Sequence, residues 1–131
     1  MNNDTLIEQA KKARAFAYIP YSKFAVGAVL VTEDDEIILG CNVENASYGL
    51  TNCAERTAIF KAVSEGKRRF TKLIVIGDTE GPISPCGACR QVINEFCAPN
   101  MPIILANLKG DIQETTISAL LPYAFGPSDL A

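Results

Sequence analysis

The first twenty residues carry apolar side chains at the spacing of one face of an α-helix. The positions on that face are Leu6, Ala10, Ala13 and Ala17. The string Thr5-Leu-Ile-Glu8 matches a capping box, in which a threonine and a glutamate three residues later bond the free amides of the first turn. Pro20 has no amide hydrogen to donate to a helix. The pattern therefore predicts a first helix that begins near Thr5 and is ended by Pro20.

Five stretches further along have the pattern of β-strands. Residues 25–31, 73–76 and 103–106 are apolar at consecutive positions, which is typical of strands covered on both faces. Residues 37–44 follow the first of these after an acidic turn and are expected to complete a hairpin. A tight turn containing glycine precedes the last predicted strand, at 112–116.

Three more helices are predicted, at 53–65, 86–97 and 118–121, with Gly66 ending the first of them. The helix at 86–97 lies between two apolar strands, which is the order of a right-handed parallel crossover. We therefore predict a three-layer α/β/α fold with a mixed five-stranded sheet. Residues 1–131 are expected to form a single domain, since no linker or repeat divides them.

Composition and charge argue against long nucleic acid and membranes as binding partners. The formal net charge is −3, whereas a protein that grips a polyphosphate backbone normally carries a basic patch. The two basic clusters, Lys11-Lys12 and Lys67-Arg68-Arg69, fit solvated helix faces or ends. No apolar run approaches the ~20 residues that cross a bilayer, and the first residues lack the pattern of a signal peptide. We expect a cytoplasmic protein that binds neither long nucleic acid nor membrane.

The chain contains five cysteines and no histidine. An odd cysteine count in a reducing compartment disfavours a disulfide framework. The absence of histidine excludes Ser-His and Cys-His nucleophile pairs, so a metal site would be built from thiolates and carboxylates. We interpret Cys41 and Cys97 as small core residues.

The other three cysteines occupy matched positions in two predicted helices. Cys53 opens one helix, and Cys86 and Cys89 lie at the start of the next. A thiol there has a lowered pKa, because free backbone N–H groups favour the thiolate. If the two helix starts face each other, three thiolates can bind one zinc ion and leave its fourth position for water. A thioredoxin-type redox pair and a structural zinc site remain as alternatives, the latter requiring a fourth ligand.

Glu55 strengthens the catalytic interpretation. It follows Cys53 by two residues in the first turn of the predicted helix, close to the metal but offset from the direction of the ligand. A carboxylate at that position can bond a water on the metal without being a ligand itself. The alternative is a glutamate that only complements the positive end of the helix dipole.

These motifs resemble those of a known family. Cys53-Ala-Glu55 followed by Pro85-Cys-Gly-Ala-Cys-Arg90 resembles the signature of the zinc-dependent deaminases, in the three-cysteine variant of the small homotetrameric cytidine deaminases. The resemblance implies a cytidine deaminase-like fold, one zinc ion per subunit, and hydrolytic deamination of cytidine and deoxycytidine. Further strings carry it across essentially the whole chain, namely Tyr18-Ile-Pro-Tyr-Ser-Lys-Phe24, Gly40-Cys-Asn-Val-Glu-Asn-Ala46 and Leu121-Pro-Tyr-Ala-Phe125.

The resemblance also implies roles for the metal-binding and acidic residues. Cys53, Cys86 and Cys89 would hold the zinc ion, which polarises a water. Glu55 would move protons between that water, N3 of the pyrimidine and the departing amine. A deaminase of another aminopyrimidine nucleoside, of a nucleoside antibiotic or of a free base shares these motifs, and a non-catalytic zinc module shares some of them.

Residues outside the signature are implied to bind the substrate. Asn42 and Glu44 match positions that bind a ribose hydroxyl, and Phe24 matches a residue that packs against the pyrimidine. Phe125 is implied to reach a neighbouring subunit's pocket in a homotetramer with shared active sites, and Tyr48 is a further candidate for that exchange. From the residues alone, the polar pair also fits an ordinary sheet edge, and the phenylalanines fit simple packing.

Three thiolates on one divalent ion leave a net charge near −1, which weakens zinc as a Lewis acid. We hypothesise that Arg56 donates hydrogen bonds to the thiolate sulfurs and offsets this charge. The alternative is an arginine that faces solvent. Arg90, which follows Cys89, is open between the same two roles.

Overall fold

The structure is a computed structural model, and it describes residues 1–130. The α-helices are α1 (Asn3–Arg14), α2 (Ala54–Ser64), α3 (Gly87–Phe96) and α4 (Ile117–Leu120). The strands are β1 (Val26–Thr32), β2 (Ile37–Cys41), β3 (Phe70–Gly77), β4 (Ile103–Asn107) and β5 (Ile112–Thr115). Two short 3₁₀ helices, Tyr48–Leu50 and Pro127–Asp129, complete the fold, and the sequence pattern did not predict either of them.

The five strands form one mixed sheet in the order β2-β1-β3-β4-β5. β3 and β4 are parallel and are joined through α3, as the crossover pattern predicts. The other neighbouring pairs are antiparallel. The mixed five-stranded sheet is thus confirmed.

Helices cover both faces of this sheet. On one face, Leu6, Ile7 and Ala10 of α1 pack against apolar side chains from β1, β3 and β4. On the other face, α2, α3 and α4 pack against a larger cluster that includes Leu73 and Leu105. The predicted three-layer α/β/α arrangement is confirmed, and it explains why the central strands are apolar at consecutive positions.

The first helix differs from its prediction at both ends. Asn2, and not Thr5, caps it, because the Asn2 side chain accepts a hydrogen bond of 2.9 Å from the Thr5 amide. The helix ends at Arg14, well before Pro20. The chain leaves the helix there because the amide of Tyr18 bonds the carbonyl of Asn42 at 3.0 Å, which pairs this segment with the chain that follows β2.

The second strand is shorter than the predicted 37–44. It ends at Cys41, after which Val43 forms isolated bridges with Tyr18 and Asn52 instead of extending the hairpin. Cys41 is half-buried at this edge of the sheet, so its interpretation as a core residue is wrong, whereas Cys97 is buried in the core as expected.

A close approach fixes α2 against the sheet. A Cβ atom placed on Gly40 would lie only 2.4 Å from the carbonyl oxygen of Ala54 and 2.7 Å from the amide nitrogen of Ala58. Only glycine therefore fits at this position of β2. The contact sets the height at which the first turn of α2, with Cys53 before it, lies above the sheet edge.

Candidate active site

The amino-terminal ends of α2 and α3 bring three thiol groups together. Cys53 and Cys86 immediately precede α2 and α3, and Cys89 lies in the first turn of α3. The Sγ atom of Cys86 lies 3.7 Å from that of Cys53 and 3.4 Å from that of Cys89. Neither Cys53 nor Cys86 caps its helix with its side chain, so both sulfurs are available to a cation.

This spacing fits a tetrahedral zinc ion. With Zn–S bonds of about 2.3 Å, two sulfurs on one such ion lie ~3.8 Å apart. The three sulfur atoms here all lie within 4.8 Å of one another. Within residues 1–130, no fourth cysteine, aspartate or glutamate joins the group. Three protein ligands leave one position for water or substrate, whereas a structural zinc site fills all four.

The thiols interact strongly with each other. Hydrogen bonding with Cys89, reinforced by the guanidinium of Arg56, lowers the pKa of Cys53 to about 5. The same bond to Cys53, together with burial, raises the pKa of Cys89. A divalent cation favours the thiolate form of every sulfur it binds, so uptake of the metal releases protons and weakens as the pH falls.

Glu55 is the second residue of α2, and its side chain is only 4% exposed. Burial raises the pKa of its carboxyl group to about 7, and the neighbouring Cys53 adds to the effect. Its carboxylate is not part of the group of three cysteines that could hold a metal ion. A carboxyl group whose pKa lies near neutrality both accepts and returns a proton readily, as acid–base catalysis requires.

Arg56 points its guanidinium at the thiol cluster. Its Nη2 atom lies 3.3 Å from Cys53 Sγ and 3.3 Å from the carbonyl oxygen of Thr51. Its buried Nε atom has no hydrogen-bond partner among the described residues. The residue is half-buried, and its guanidinium contacts the thiol cluster. The thiols raise the pKa of this guanidinium further, chiefly through the hydrogen bond to Cys53.

A cavity of about 240 Å³ opens beside the thiols and Glu55. Three residues that the sequence assigns to substrate binding, Phe24, Asn42 and Glu44, lie in its wall. The other lining residues are Ser22, Val26, Thr51, Cys53, Ala54, Ile83, Ser84 and Cys86. One small cavity therefore contains a buried acid, two of the three thiols, an aromatic ring and a carboxylate.

Asn42 and Glu44 are both held by the backbone around Phe24. The Asn42 side chain accepts from the amide of Val26 at 2.9 Å and donates to the carbonyl of Phe24 at 2.8 Å. Glu44 Oε1 accepts from the amides of Tyr21 and Ser22, each at 3.1 Å. The Ser22 hydroxyl lowers the pKa of Glu44, as do the two amides, so this group is a carboxylate near neutral pH.

Phe125 does not lie in this cavity. Its side chain is 59% exposed, and its carbonyl accepts a 2.7 Å hydrogen bond from Gln91 on α3. Tyr48 is 75% exposed and lines a neighbouring cavity of about 410 Å³, where its ring lies 6.0 Å from that of Tyr21. Both rings are therefore largely exposed in the described chain, and neither lines the cavity beside the thiols.

Arg90 takes neither of the two roles that the sequence left open for it, because its hydrogen bonds go to the protein around the thiols and not to a sulfur or to solvent alone. Arg90 binds the loop before Cys86, with hydrogen bonds to the Pro85 carbonyl at 2.9 Å and to Ser84 Oγ at 2.7 Å. It also donates to the carbonyl of Leu120 at 2.7 Å. The only sign of this role in the sequence is that Arg90 directly follows Cys89. Ser22 lies in the Tyr18–Phe24 string, and no pattern in the sequence indicates its hydrogen bond to Glu44.

The comparisons with known proteins agree with this geometry. Residues 1–105 match the family model described as the cytidine and deoxycytidylate deaminase zinc-binding region. The chain belongs to this family. Zinc is the cofactor of this family, and Cys53, Cys86 and Cys89 form a cluster that could hold the ion.

Similar members of the family extend over the full chain. A cytidine deaminase of Sporosarcina psychrophila is 63% identical over 131 residues, covering 100% of this chain and 96% of the relative. One of Halalkalibacterium halodurans is 55% identical over 130 residues, covering 99% and 98%. The crystal structure of cytidine deaminase from Burkholderia pseudomallei matches with a TM-score of 0.94 at 55% identity, covering 95% of this chain and 100% of that one. The cytidine deaminase-like fold is therefore confirmed.

Proposed function

We propose that this protein hydrolyses cytidine and deoxycytidine to uridine and deoxyuridine with release of ammonia. The buried carboxyl of Glu55, placed in one cavity with the thiol cluster, carries this proposal. Relatives that are 63% and 55% identical bear the name cytidine deaminase, which supports the same substrate.

Glu55 performs the proton transfers in the proposed reaction. Its carboxylate takes one proton from the attacking water and gives it to N3 of the pyrimidine, while the water oxygen bonds to C4. It then carries the second proton from the new hydroxyl on C4 to the amino nitrogen. The C4–N bond breaks, ammonia leaves, C4 becomes a carbonyl, and Glu55 returns to its initial state. A pKa near neutrality suits a group that acts as base and then as acid.

Cys53, Cys86 and Cys89 hold the metal beside this carboxyl. Zinc, when bound there, supplies a water that is more acidic than bulk water. The cavity wall around Glu55 excludes most solvent, because this side chain is only 4% exposed. Proton transfer between Glu55 and the pyrimidine therefore takes place with little competition from bulk water.

Other lining residues of the same cavity are suited to a ribose. Glu44 offers a carboxylate that can accept a hydrogen bond from a sugar hydroxyl, and Asn42 lies in the same wall. Phe24 supplies an aromatic ring for the pyrimidine. A phosphate placed beside the Glu44 carboxylate would be repelled, so we propose nucleosides as substrates in preference to nucleotides.

A substrate panel tests this function. Zinc-loaded protein should convert cytidine and deoxycytidine, measured as loss of ultraviolet absorbance. Values of kcat/KM for cytidine 3′-monophosphate should be about 100-fold lower, because like charges meet at Glu44. Cytosine, which lacks the sugar, serves as the control for ribose binding. An inert cytidine, or equal turnover of nucleoside and nucleotide, would contradict the corresponding part of the proposal.

Arg56 is proposed to offset the negative charge of the zinc–thiolate cluster. Arg56→Ala should weaken zinc retention by roughly 10–100-fold and lower kcat, because the hydrogen bond to Cys53 Sγ is lost. Zinc release to a chromogenic chelator measures the first effect. Arg69→Ala, at an exposed position before β3, is the matched control. Unchanged zinc release and kcat in Arg56→Ala would show that the hydrogen bond has no such role.

The assembly and compartment are proposals as well. We propose a single domain over residues 1–131 that forms a homotetramer, in which Phe125 and Tyr48 enter a neighbour's active site. The exposure of both aromatic side chains supports this arrangement. Within residues 1–130 no helix is long and apolar enough to cross a membrane. We further propose a cytoplasmic location, supported by five cysteines that form no disulfide with each other in the described chain.

A further inference from the structure

Ser22 lies between the two groups that the proposed function assigns to the nucleoside. Its hydroxyl donates to Glu44 Oε2, and its amide donates to Glu44 Oε1 at 3.1 Å. Its hydroxyl oxygen also accepts from the amide of Phe24 at 3.0 Å. Ser22 itself lines the cavity together with Phe24 and Glu44.

The direction of these hydrogen bonds is fixed. The Phe24 amide can only donate, so the Ser22 oxygen must be the acceptor in that contact. A serine hydroxyl has a single hydrogen. That hydrogen goes to Glu44, because an ionised carboxylate can only accept. The hydroxyl therefore has one orientation, set on one side by the backbone of Phe24 and on the other by the carboxylate.

These contacts leave the carboxylate with limited capacity. Two ionised oxygens offer about four acceptor positions. Oε1 uses two of them for the amides of Tyr21 and Ser22, and Oε2 uses one for the Ser22 hydroxyl. One position on Oε2 remains for a ligand. A group that binds there must be a hydrogen-bond donor, as a sugar hydroxyl is.

We infer that Ser22 is a positioning residue that orients Glu44 Oε2 for a sugar hydroxyl and so sets the affinity for nucleosides over compounds without that hydroxyl. The inference rests on the proposed function, since it assumes that Glu44 meets the sugar. Ser22 acts through Glu44 and takes no part in the proton transfers at Glu55.

The surrounding backbone is built to keep Ser22 in this place. Lys23 has a φ of 60°, the left-handed conformation, which turns the Phe24 amide back toward the Ser22 hydroxyl. The segment before it is attached to the Glu44 segment, because the Glu44 amide bonds the carbonyl of Tyr18 at 2.9 Å. Lys23 also lowers the pKa of Glu44, although less than the Ser22 hydroxyl does.

Steady-state kinetics of Ser22→Ala test the inference. The KM for cytidine should rise about tenfold, because the carboxylate loses the bond that orients it. The kcat should stay within about twofold of the wild type, because the lost interaction stabilises the bound substrate and the transition state equally. Ser22→Thr keeps the hydroxyl and should restore most of the affinity. Ser64→Ala, an exposed serine at the end of α2, is the control and should leave both constants unchanged.

Two further comparisons separate the possible outcomes. With 2′,3′-dideoxycytidine, Ser22→Ala should change KM by less than about twofold, because no sugar hydroxyl meets Glu44. In a Glu44→Ala background, Ser22→Ala should likewise have no further effect. An undiminished rise in KM in either experiment would overturn the inference, since Ser22 would then act without Glu44. If Glu44→Ala alone left the KM for cytidine unchanged, the proposed ribose contact would be wrong, and the inference would fail with it.

Discussion

Glu55→Gln is expected to lower kcat for cytidine by about 10⁴-fold while leaving the zinc content intact, because one carboxyl carries both proton transfers. The substitution keeps the size and planar shape of the side chain, so the buried site should hold glutamine without a cavity. The amide cannot take a proton from water at neutral pH and so cannot return one. Turnover should be measured on protein whose zinc content is determined in the same preparation.

The control for this variant is Glu95→Gln, the same chemical change at an exposed position of α3. It should match the wild type in turnover and in zinc content. Thermal unfolding of Glu55→Gln distinguishes lost chemistry from lost structure. A zinc-loaded, folded Glu55→Gln protein that kept a tenth or more of the wild-type kcat would exclude Glu55 as the proton carrier.

The size of the expected effect depends on how Glu55 differs from the other carboxyl group in the cavity. Glu55 is almost completely buried, and its pKa is raised to about 7 by desolvation. Glu44 accepts three hydrogen bonds, and its pKa is lowered by them. Environments that separate the pKa values of two carboxyls assign them different tasks. Glu55 is suited to exchange protons near neutral pH, and Glu44 is suited to stay charged and to accept a hydrogen bond from the substrate.

The starts of α2 and α3 could be predicted from the sequence because local chemistry determines them. Cys53 and Cys86 immediately precede α2 and α3, so each helix begins within one residue of its predicted start. The apolar runs also predicted the covered central strands correctly. The convergence of the three sulfurs depends on the sheet order, in which both helices pack on the same face. No cysteine spacing contains that information by itself.

The ends of elements were less predictable because contacts distant in sequence decide them. α1 stops at Arg14, and β2 stops at Cys41, since the segments that follow them pair with each other. Asn42 illustrates the same limit at the site. Its side chain bonds the backbone at Phe24 and Val26, so it builds the cavity wall in addition to any contact with a ligand. A pattern of polar residues does not separate these two tasks.

Cys86→Ser is expected to weaken zinc binding by more than about 100-fold. Loss of a residue that only hydrogen-bonds a ligand typically weakens binding by about 10–100-fold, and loss of a ligand should exceed that range. The serine hydroxyl does not ionise near neutral pH, so the site keeps only two thiolates. Cys86 also has the central position, with both other sulfurs within 3.7 Å. Competition with a chromogenic chelator gives the affinity. Cys41→Ser is the matched control, because this half-buried thiol lies outside the cluster.

Stability provides a second, independent measure of the same site. A ligand that binds only the folded state raises its stability by RT ln(1 + [L]/Kd), about 4.1 kcal/mol at 1,000 times Kd. A strong chelator should therefore lower the Tm of the wild type and of Cys41→Ser by several degrees. The chelator should lower the Tm of Cys86→Ser by much less, because this variant binds the metal more than about 100-fold more weakly. If the chelator shifted the Tm of Cys86→Ser as much as that of the wild type, the stabilising metal would be bound elsewhere, and the three-thiolate assignment would be wrong.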